Sequence, residues 1–311
     1  MAKTIAIYFS DSEPMGYPFN KKQYWEIYQQ IIAQIEERGV VVVIARGDSY
    51  RGNGNFAKGW RLRNGEVKEI NEPIHADLIF NRDDKNTIPE IEDCPMVNQL
   101  AFDKLCVDKF QTYEAFPDMS PRTALAHSYQ EYCSIRDLWK LSKDERVVLK
   151  KNYEGEGRGI FIQPSGEITE ALYDDWRDIL VQEFLDGSLG IPGVVEGLHD
   201  LRIANINGTP INAYIRVPKK GSLFANIARG GRGFSLDLSE VPDEVMTLVA
   251  KINDNVSQYF PSVYAADFIR TVKGYKLIEL NSRVAVQHPD WSKSYKKFNN
   301  ILVDMLVAAV N

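Results

Sequence analysis

The stretch Val263–His288, VYAADFIRTVKGYKLIELNSRVAVQH, decides how the rest of the chain is read. Two apolar runs flank a Lys273-Gly274 turn, and acids interrupt them where a core strand has no use for charge. Glu279 and Asn281 are two residues apart and so share one face of a strand. Asp267 joins them in only one register. A two-residue Lys273-Gly274 loop pairs Asp267 with Leu280 and leaves it on the opposite face. A three-residue loop, Val272-Lys273-Gly274 with Gly274 left-handed, pairs it with Glu279, and glycine is what such a loop requires there. We take the second register. Two carboxylates and an amide oxygen then converge, a hard oxygen set suited to Mg²⁺ with phosphate as co-ligand. Taken alone, these residues also fit an edge hairpin with solvated acids.

The chain has 311 residues, enough for two or three lobes with ample core. Its net charge of −6 argues against nucleic acid or an anionic membrane as partner, a local basic cleft apart. Three cysteines, Cys94, Cys106 and Cys133, are odd in number and lack metal-type spacing, so a reduced cytoplasm is the expected location. The opening MAKTIAIYFS reads as a first strand and is too short for a signal peptide. No run approaches the length of a membrane span.

Outward from the hairpin, the chain begins as β-α-β. Lys3–Ser10 is a strand, and a loop over Asp11–Phe19 leads to a helix running to about Arg38. Trp25, Tyr28, Ile31, Ile32 and Ile35 make one apolar face of that helix. After Gly39, Val40–Gly47 is a β-branched strand, which implies a parallel sheet with a right-handed crossover. A hairpin is expected around Arg63-Asn64-Gly65. Asp77–Asn81 is a further strand, with Arg82, Asp83 and Asp84 past its C-terminal end, the edge where open parallel sheets bind ligands. Arg82 is therefore a candidate for a substrate carboxylate, and a surface ion pair with Asp83 or Asp84 is the alternative.

Val97–Phe116 reads as helical, and Pro117–Thr123 as a linker at a lobe boundary. The run RVVLKK, NYEGEGRG, IFIQ (146–163) is strand, glycine-rich turn, strand. It has the layout of a flap whose Gly155, Gly157 and Gly159 let backbone N–H groups approach phosphate, although an ordinary glycine hairpin fits too. It is neither a Walker loop nor a dinucleotide fingerprint. Ile179–Leu185 is an apolar strand carrying Gln182 and Glu183. Asp200, Arg202 and Arg216 lie on two strands joined by an Asn207-Gly208 turn, and Asn226–Gly233 is a second glycine-rich, cationic loop. Helices are expected over Val241–Gln258 and Tyr295–Val310.

Five motifs stand in this order: DKF at Asp108–Phe110 with PRT following; VVLK with EGEGRG; LVQEFL at Leu180–Leu185; DLRIANINGTPINAYIRVP running into FANIARGGRG; and AADFIR with LIELN. Together they resemble the ATP-grasp superfamily, and within it the glutathione synthetase and ribosomal-protein glutamate ligase branch. The likeness covers roughly residues 96–311 and extends loosely to DLIFNRDD. It implies an α/β (α+β) ATP-grasp fold with a Rossmann-like parallel-sheet domain on the substrate side (1–106). A small central lobe with the flap (107–185) and a C-terminal lobe with the metal site (186–311) would clamp ATP. The implied activity is an ADP-forming carboxylate–amine ligase working through an acylphosphate on an amino acid, small peptide or peptide terminus. Implied cofactors are ATP and two Mg²⁺ ions, with Mn²⁺ as an alternative. Implied partners are small-molecule substrates and a second copy of the chain, with neither nucleic acid nor membrane.

Carried over position by position, Lys109 and Lys150 match the lysines that hold ATP phosphates. Lys151 competes, but Lys150 ends the VVLK strand. Gly155 and Gly157 belong to the flap. Gln182, Glu183, Phe184 and Leu185 match the adenine hinge, with Glu183 and Asp186 near the amino group and ribose. Arg216, Asn226 and Arg229 match positions at the reacting groups. Asp267, Glu279 and Asn281 match the metal ligands. Arg202, with Asp200, is either a substrate residue or part of a structural ion pair. Two departures stand out. Phe224 occupies a position where the family has Arg, and SRVAVQHPDW replaces a run of small residues with Pro after Asn281. In that loop Arg283 is a candidate for a substrate carboxylate, and His288 is either a proton acceptor or a packing residue. The competing reading is an ATP-binding regulatory or scaffold protein of the same fold. The three metal-type ligands speak against it and Phe224 speaks for it.

Overall fold

In a computed structural model of the chain, the structure describes residues 2–63, 65–83, 94–154, 159–172, 176–223, 225 and 230–311. Strands β1 (Thr4–Phe9) and β2 (Val41–Arg46) pair in parallel along their whole length. Helix α1 (Lys22–Glu36) joins them and buries Ile27, Tyr28, Ile31, Ile32 and Ile35. Trp25, expected on that face, is only partly buried against the core, and Ile27 takes its place. The polar stretch that follows folds into short strands: β3 (Tyr50–Gly52), β4 (Asn55–Phe56), β5 (Gly59–Arg63), β6 (Glu66–Ile70) and β7 (Ile74–His75). Arg63 pairs with Glu66 in the expected hairpin. Strands β8 (Leu78–Asn81) and β9 (Met96–Val97) continue the parallel set, giving the order β6-β5-β2-β1-β8-β9.

The single helix expected over Val97–Phe116 is instead a short strand and two helices, α2 (Leu100–Val107) and α3 (Lys109–Ala115). Asp108 causes the break. Its backbone is extended, and its carboxylate accepts the N–H groups of Phe110 and Gln111, capping α3. A second sheet, β10-β13-β11-β12, is built from β10 (Thr123–Ala126), β11 (Arg146–Lys151), β12 (Ile160–Pro164) and β13 (Ile179–Glu183), with α4 (Tyr129–Trp139) contributing to its core.

The third sheet runs β16-β15-β14-β17-β18, from β14 (Asp200–Ile206), β15 (Thr209–Val217), β16 (Arg232–Leu236), β17 (Val263–Thr271) and β18 (Gly274–Asn281). Helix α5 (Asp243–Val256) packs on it, as does α2 through Phe102 and Cys106. The last helix, α6 (Tyr295–Val310), returns to the first sheet and shares a core with α1 and β1. Among the described residues no helix is long and apolar enough to cross a membrane.

The β17–β18 hairpin pairs Asp267 with Glu279 as expected, but by another route. Thr271 pairs with Gly274 across a two-residue Val272-Lys273 turn, and the extra residue is Ile278, between Leu277 and Glu279. The Thr271 hydroxyl tightens the turn, accepting from Lys273 N at 3.1 Å and donating to Gly274 O at 2.9 Å. Gly274 has φ +102°, and a Cβ there would lie 2.2 Å from Glu244 Oε1. The register shift is thus a bulge inside β18 and not a longer loop.

Candidate active site

Strand alternation lines up charge across the third sheet. Arg216 on β15 is opposite Asp200 on β14, Arg202 is opposite Asp267 on β17, and Asp267 is opposite Glu279 on β18. Asp267 is fully buried. Arg202 grips it through Nε to Oδ1 and Nη2 to Oδ2, both at 2.7 Å. Arg216 adds Nη2 to Oδ2 at 2.6 Å, and Asn281 Nδ2 reaches the same oxygen at 3.3 Å. Arg216 Nε also donates to Asp200 Oδ1 at 2.6 Å. Burial opposes charge on Asp267, but the two guanidiniums outweigh it and hold the carboxyl at about 2. Burial pushes Asp200 up to about 6, with Arg216 pulling down and Asp267 pushing up. The row is a buried ion network in which removing one partner strands another charge.

Facing this row across the cleft are two lysines. Lys109 Nζ donates to Asn152 O at 3.0 Å and Glu154 O at 2.6 Å, and lies 3.9 Å from Glu279. Burial lowers its pKa, with Glu279 opposing. The Lys150 ammonium, on a strand paired with Ile160 and Leu180, makes no hydrogen bond or ion pair among the described residues. Burial lowers it to about 8, Glu279 pulling up and Lys109 pushing down. Two crowded cations with lowered pKa values are what an anionic ligand would relieve. Asp108 ties this corner together, accepting Asn152 Nδ2 at 2.9 Å and Tyr153 Oη at 3.2 Å.

Between the second and third sheets lies a cleft of ≈ 430 Å³, with Val148, Ile160, Ile162, Leu185, Ile269 and Ile278 as apolar walls. That size and lining suit a small-molecule site. The β18 bulge matters here, because it lets the consecutive residues Ile278 and Glu279 both face the cleft region. Gln182 lines it with Nε2 bonded to Thr123 Oγ1 at 2.9 Å. Phe184 and Leu185 line it just past the end of β13. Asp186 lies on the rim and accepts Ser188 N at 2.9 Å; the Ser188 side chain first, and then this backbone bond, lower its pKa. The Glu183 carboxylate is committed to Arg122 N at 2.8 Å.

Arg82 sits past β8 with its guanidinium 5.3 Å from the Phe80 ring. Its Nε and Nη1 are buried without a hydrogen-bond partner among the described residues. Arg283, read as a second substrate residue, is occupied otherwise. It makes a two-pronged pair with the buried Asp103, its Nη2 reaching Oδ2 at 2.6 Å, and donates Nε to the Asp83 carbonyl at 2.7 Å. Its fork holds the β8 strand end against α2. His288 is packed, with Nε2 3.2 Å from Glu26 Oε2 of α1. Gly155, Gly157, Asn226 and Arg229, together with Asp84 and Phe224, lie outside the described residues. Sequence reasoning missed His199, a buried residue lining the cleft; its one signal is its place immediately before Asp200.

The donor set fits Mg²⁺. Glu279 is a partly exposed carboxylate, Asn281 uses its amide N–H₂ on Asp267, which leaves the oxygen, and Asp267 Oδ1 accepts a single bond among the described residues. Among the described residues no group of three or more His, Cys, Asp or Glu could hold a metal. An ion here would depend on further oxygens from a ligand.

The same architecture occurs in the VanG D-Ala:D-Ser ligase of Enterococcus faecalis, with a TM-score of 0.63 and 12% identity over 100% of both chains. The fold is thus that of the ATP-grasp proteins. A family model described as prokaryotic glutathione synthetase, ATP-grasp domain, matches residues 108–263. The chain is 29% identical to a glutathione synthetase of Gloeobacter violaceus over 140 residues, 43% of this chain and 39% of that protein. It is 28% identical to a probable alpha-L-glutamate ligase of Psychromonas ingrahamii over 166 residues, 52% and 49% respectively. The chain spans about half the length of the curated relatives it matches. It belongs to the prokaryotic glutathione synthetase ATP-grasp family.

Proposed function

We propose that this chain is an ATP-dependent, ADP-forming carboxylate–amine ligase acting on an amino acid, a small peptide or a peptide terminus. The observation that carries the reading is that an apolar slot and two lysines meet Asp200 and Glu279, two acids of the buried ion row, at one cleft. The slot would take adenine, with the Phe184–Leu185 backbone reading its edge and Asp186 near the ribose. Lys109 and Lys150 would hold the phosphates. On this reading residues 1–106 present the carboxylate substrate, 107–185 cover the nucleotide and 186–311 carry the acids.

The chemistry runs in two steps. A carboxylate oxygen of the substrate attacks the γ-phosphorus, and the bond to the β–γ bridging oxygen breaks, releasing ADP and leaving an acylphosphate. The amine nitrogen then attacks the acyl carbon, the tetrahedral intermediate expels phosphate, and the amine loses a proton. Phosphoryl transfer needs positioning and positive charge more than covalent help. Arg216 has Nε and Nη2 committed to aspartates and Nη1 left for a reacting oxygen. Arg82, whose buried Nε and Nη1 have no partner among the described residues, would take the substrate carboxylate. Arg202 and Arg283 would act by holding Asp267 and the β8 strand end. Asn226 and Arg229 complete the proposed catalytic set. Glu279, Asn281 and Asp267 would hold Mg²⁺ or Mn²⁺, two ions on this reading, which when bound supply charge neutralisation to the phosphates.

One observation favours a second reading, an ATP-binding protein without turnover. Asp267 is fully buried and each of its oxygens already accepts a guanidinium N–H, which leaves spare acceptor capacity on Oδ1 alone. The test is a panel of amino acids, dipeptides and γ-glutamyl compounds, offered singly and in pairs with Mg·ATP. The ligase reading requires one pair that yields ADP, phosphate and a condensed product by mass. ATP binding with no phosphate release from any pair would favour the second reading.

A further inference from the structure

His199 is unused by the mechanism above, yet it is 1% exposed and lines the cleft beside Asp186 and Asp200. Its Nδ1 lies 3.0 Å from Gly197 O. A carbonyl oxygen can only accept, so Nδ1 carries the proton and Nε2 presents a lone pair. That Nε2 is buried and has no hydrogen-bond partner among the described residues. Burial also holds the imidazole below its usual pKa, against the pull of the Gly197 carbonyl, so the ring is neutral at pH 7. A buried acceptor without a donor is costly, and native structures leave few of them.

Its place says which donor it would meet. The hinge from Gln182 to Leu185 and Asp200 line the same cleft as His199, and Asp200 ties that lining to Arg216 and the acid row. In a nucleotide the sugar sits between base and phosphates. We propose that His199 Nε2 accepts a hydrogen bond from a ribose hydroxyl of the bound nucleotide, making it a specificity residue for ribonucleotides over deoxyribonucleotides. This rests on the reading of the cleft as a nucleotide site.

The test compares Mg²⁺ complexes of ATP, 2′-deoxy-ATP and 3′-deoxy-ATP by direct binding to the full chain. The wild type should favour ATP over one deoxy analogue by about tenfold, the worth of one buried hydrogen bond. His199→Leu should erase that preference by weakening ATP and not the analogue, and His199→Gln, which keeps an acceptor, should restore part of it. An ATP-to-deoxy ratio unchanged in His199→Leu overturns the proposal while leaving the nucleotide site standing. Binding of none of the three nucleotides to the wild type overturns both. Should His199→Leu fail to fold, the ¹⁵N resonance of Nε2 in the wild type decides: it should shift on ATP and not on the discriminated analogue, and an identical response to both refutes the assignment.

Discussion

Lys150 shows how one buried side chain carries the site's electrostatics. It sits near pKa 8 because burial and Lys109 disfavour its charge more than Glu279 favours it. The unfolded chain, with Lys150 near 10.5, binds more protons than the fold between about pH 8 and 10.5. From this group the nucleotide-free protein therefore gains stability as pH rises through that window, and it carries the full penalty below it. Phosphate beside the ammonium reverses the balance. Binding of Mg·ATP at pH 8.5 should take up protons, and affinity should fall as pH rises above 8. Calorimetry in buffers of different ionisation enthalpy reads the uptake, and Lys150→Met should abolish it. Equal uptake in that variant would remove Lys150 from the phosphate site. Lys150 was legible in the sequence because it ends an apolar strand beside a glycine-rich turn. The partners of Arg202 and Arg283 were not, since an arginine on a strand looks the same whether it awaits a substrate or grips Asp267 or Asp103.

At the scale of elements, the β17–β18 hairpin shows what periodicity settles and what it leaves open. Alternation correctly places Asp267, Glu279 and Asn281 on one strand face once Asp267 is set against Glu279. It does not reveal where the extra residue sits, because Ile278 looks like a core residue in an apolar strand. The fold puts Ile278 in the bulge and uses it as a wall of the cleft. Ile278→Ala should weaken ATP binding about tenfold, as expected for losing part of an isoleucine's apolar contact. The dependence of any turnover on Mg²⁺ should not change, because Glu279 keeps its register. A titration showing unaltered ATP affinity would place adenine elsewhere. The α2–α3 break teaches the same lesson. Asp108 interrupts a run of good helical residues because its carboxylate caps the second helix and anchors Asn152, long-range roles that composition does not announce.

For the whole molecule, the second and third sheets meet around one cleft, and what joins the three sheets is non-local. Helix α6 at the end of the chain completes the core of the first sheet, and α2, placed before the second sheet, packs in the core of the third. The β-α-β opening, the strand pairs and the helical periods were readable because each is local. These returns were not, because an apolar helix face does not say which sheet it covers. The arrangement sets Glu279, at one end of the acid and arginine row, against the lysines, and in the proposed reaction this space passes a phosphoryl group to a carboxylate. The most direct measurement follows carboxylate oxygen. A pool of ¹⁸O-carboxyl amino acids and dipeptides, with unlabelled amines and Mg·ATP, is turned over and the released phosphate is weighed. The acylphosphate route predicts ADP and one ¹⁸O atom in each phosphate released. Phosphate without ¹⁸O, its fourth oxygen taken from water, or AMP with pyrophosphate, would contradict it.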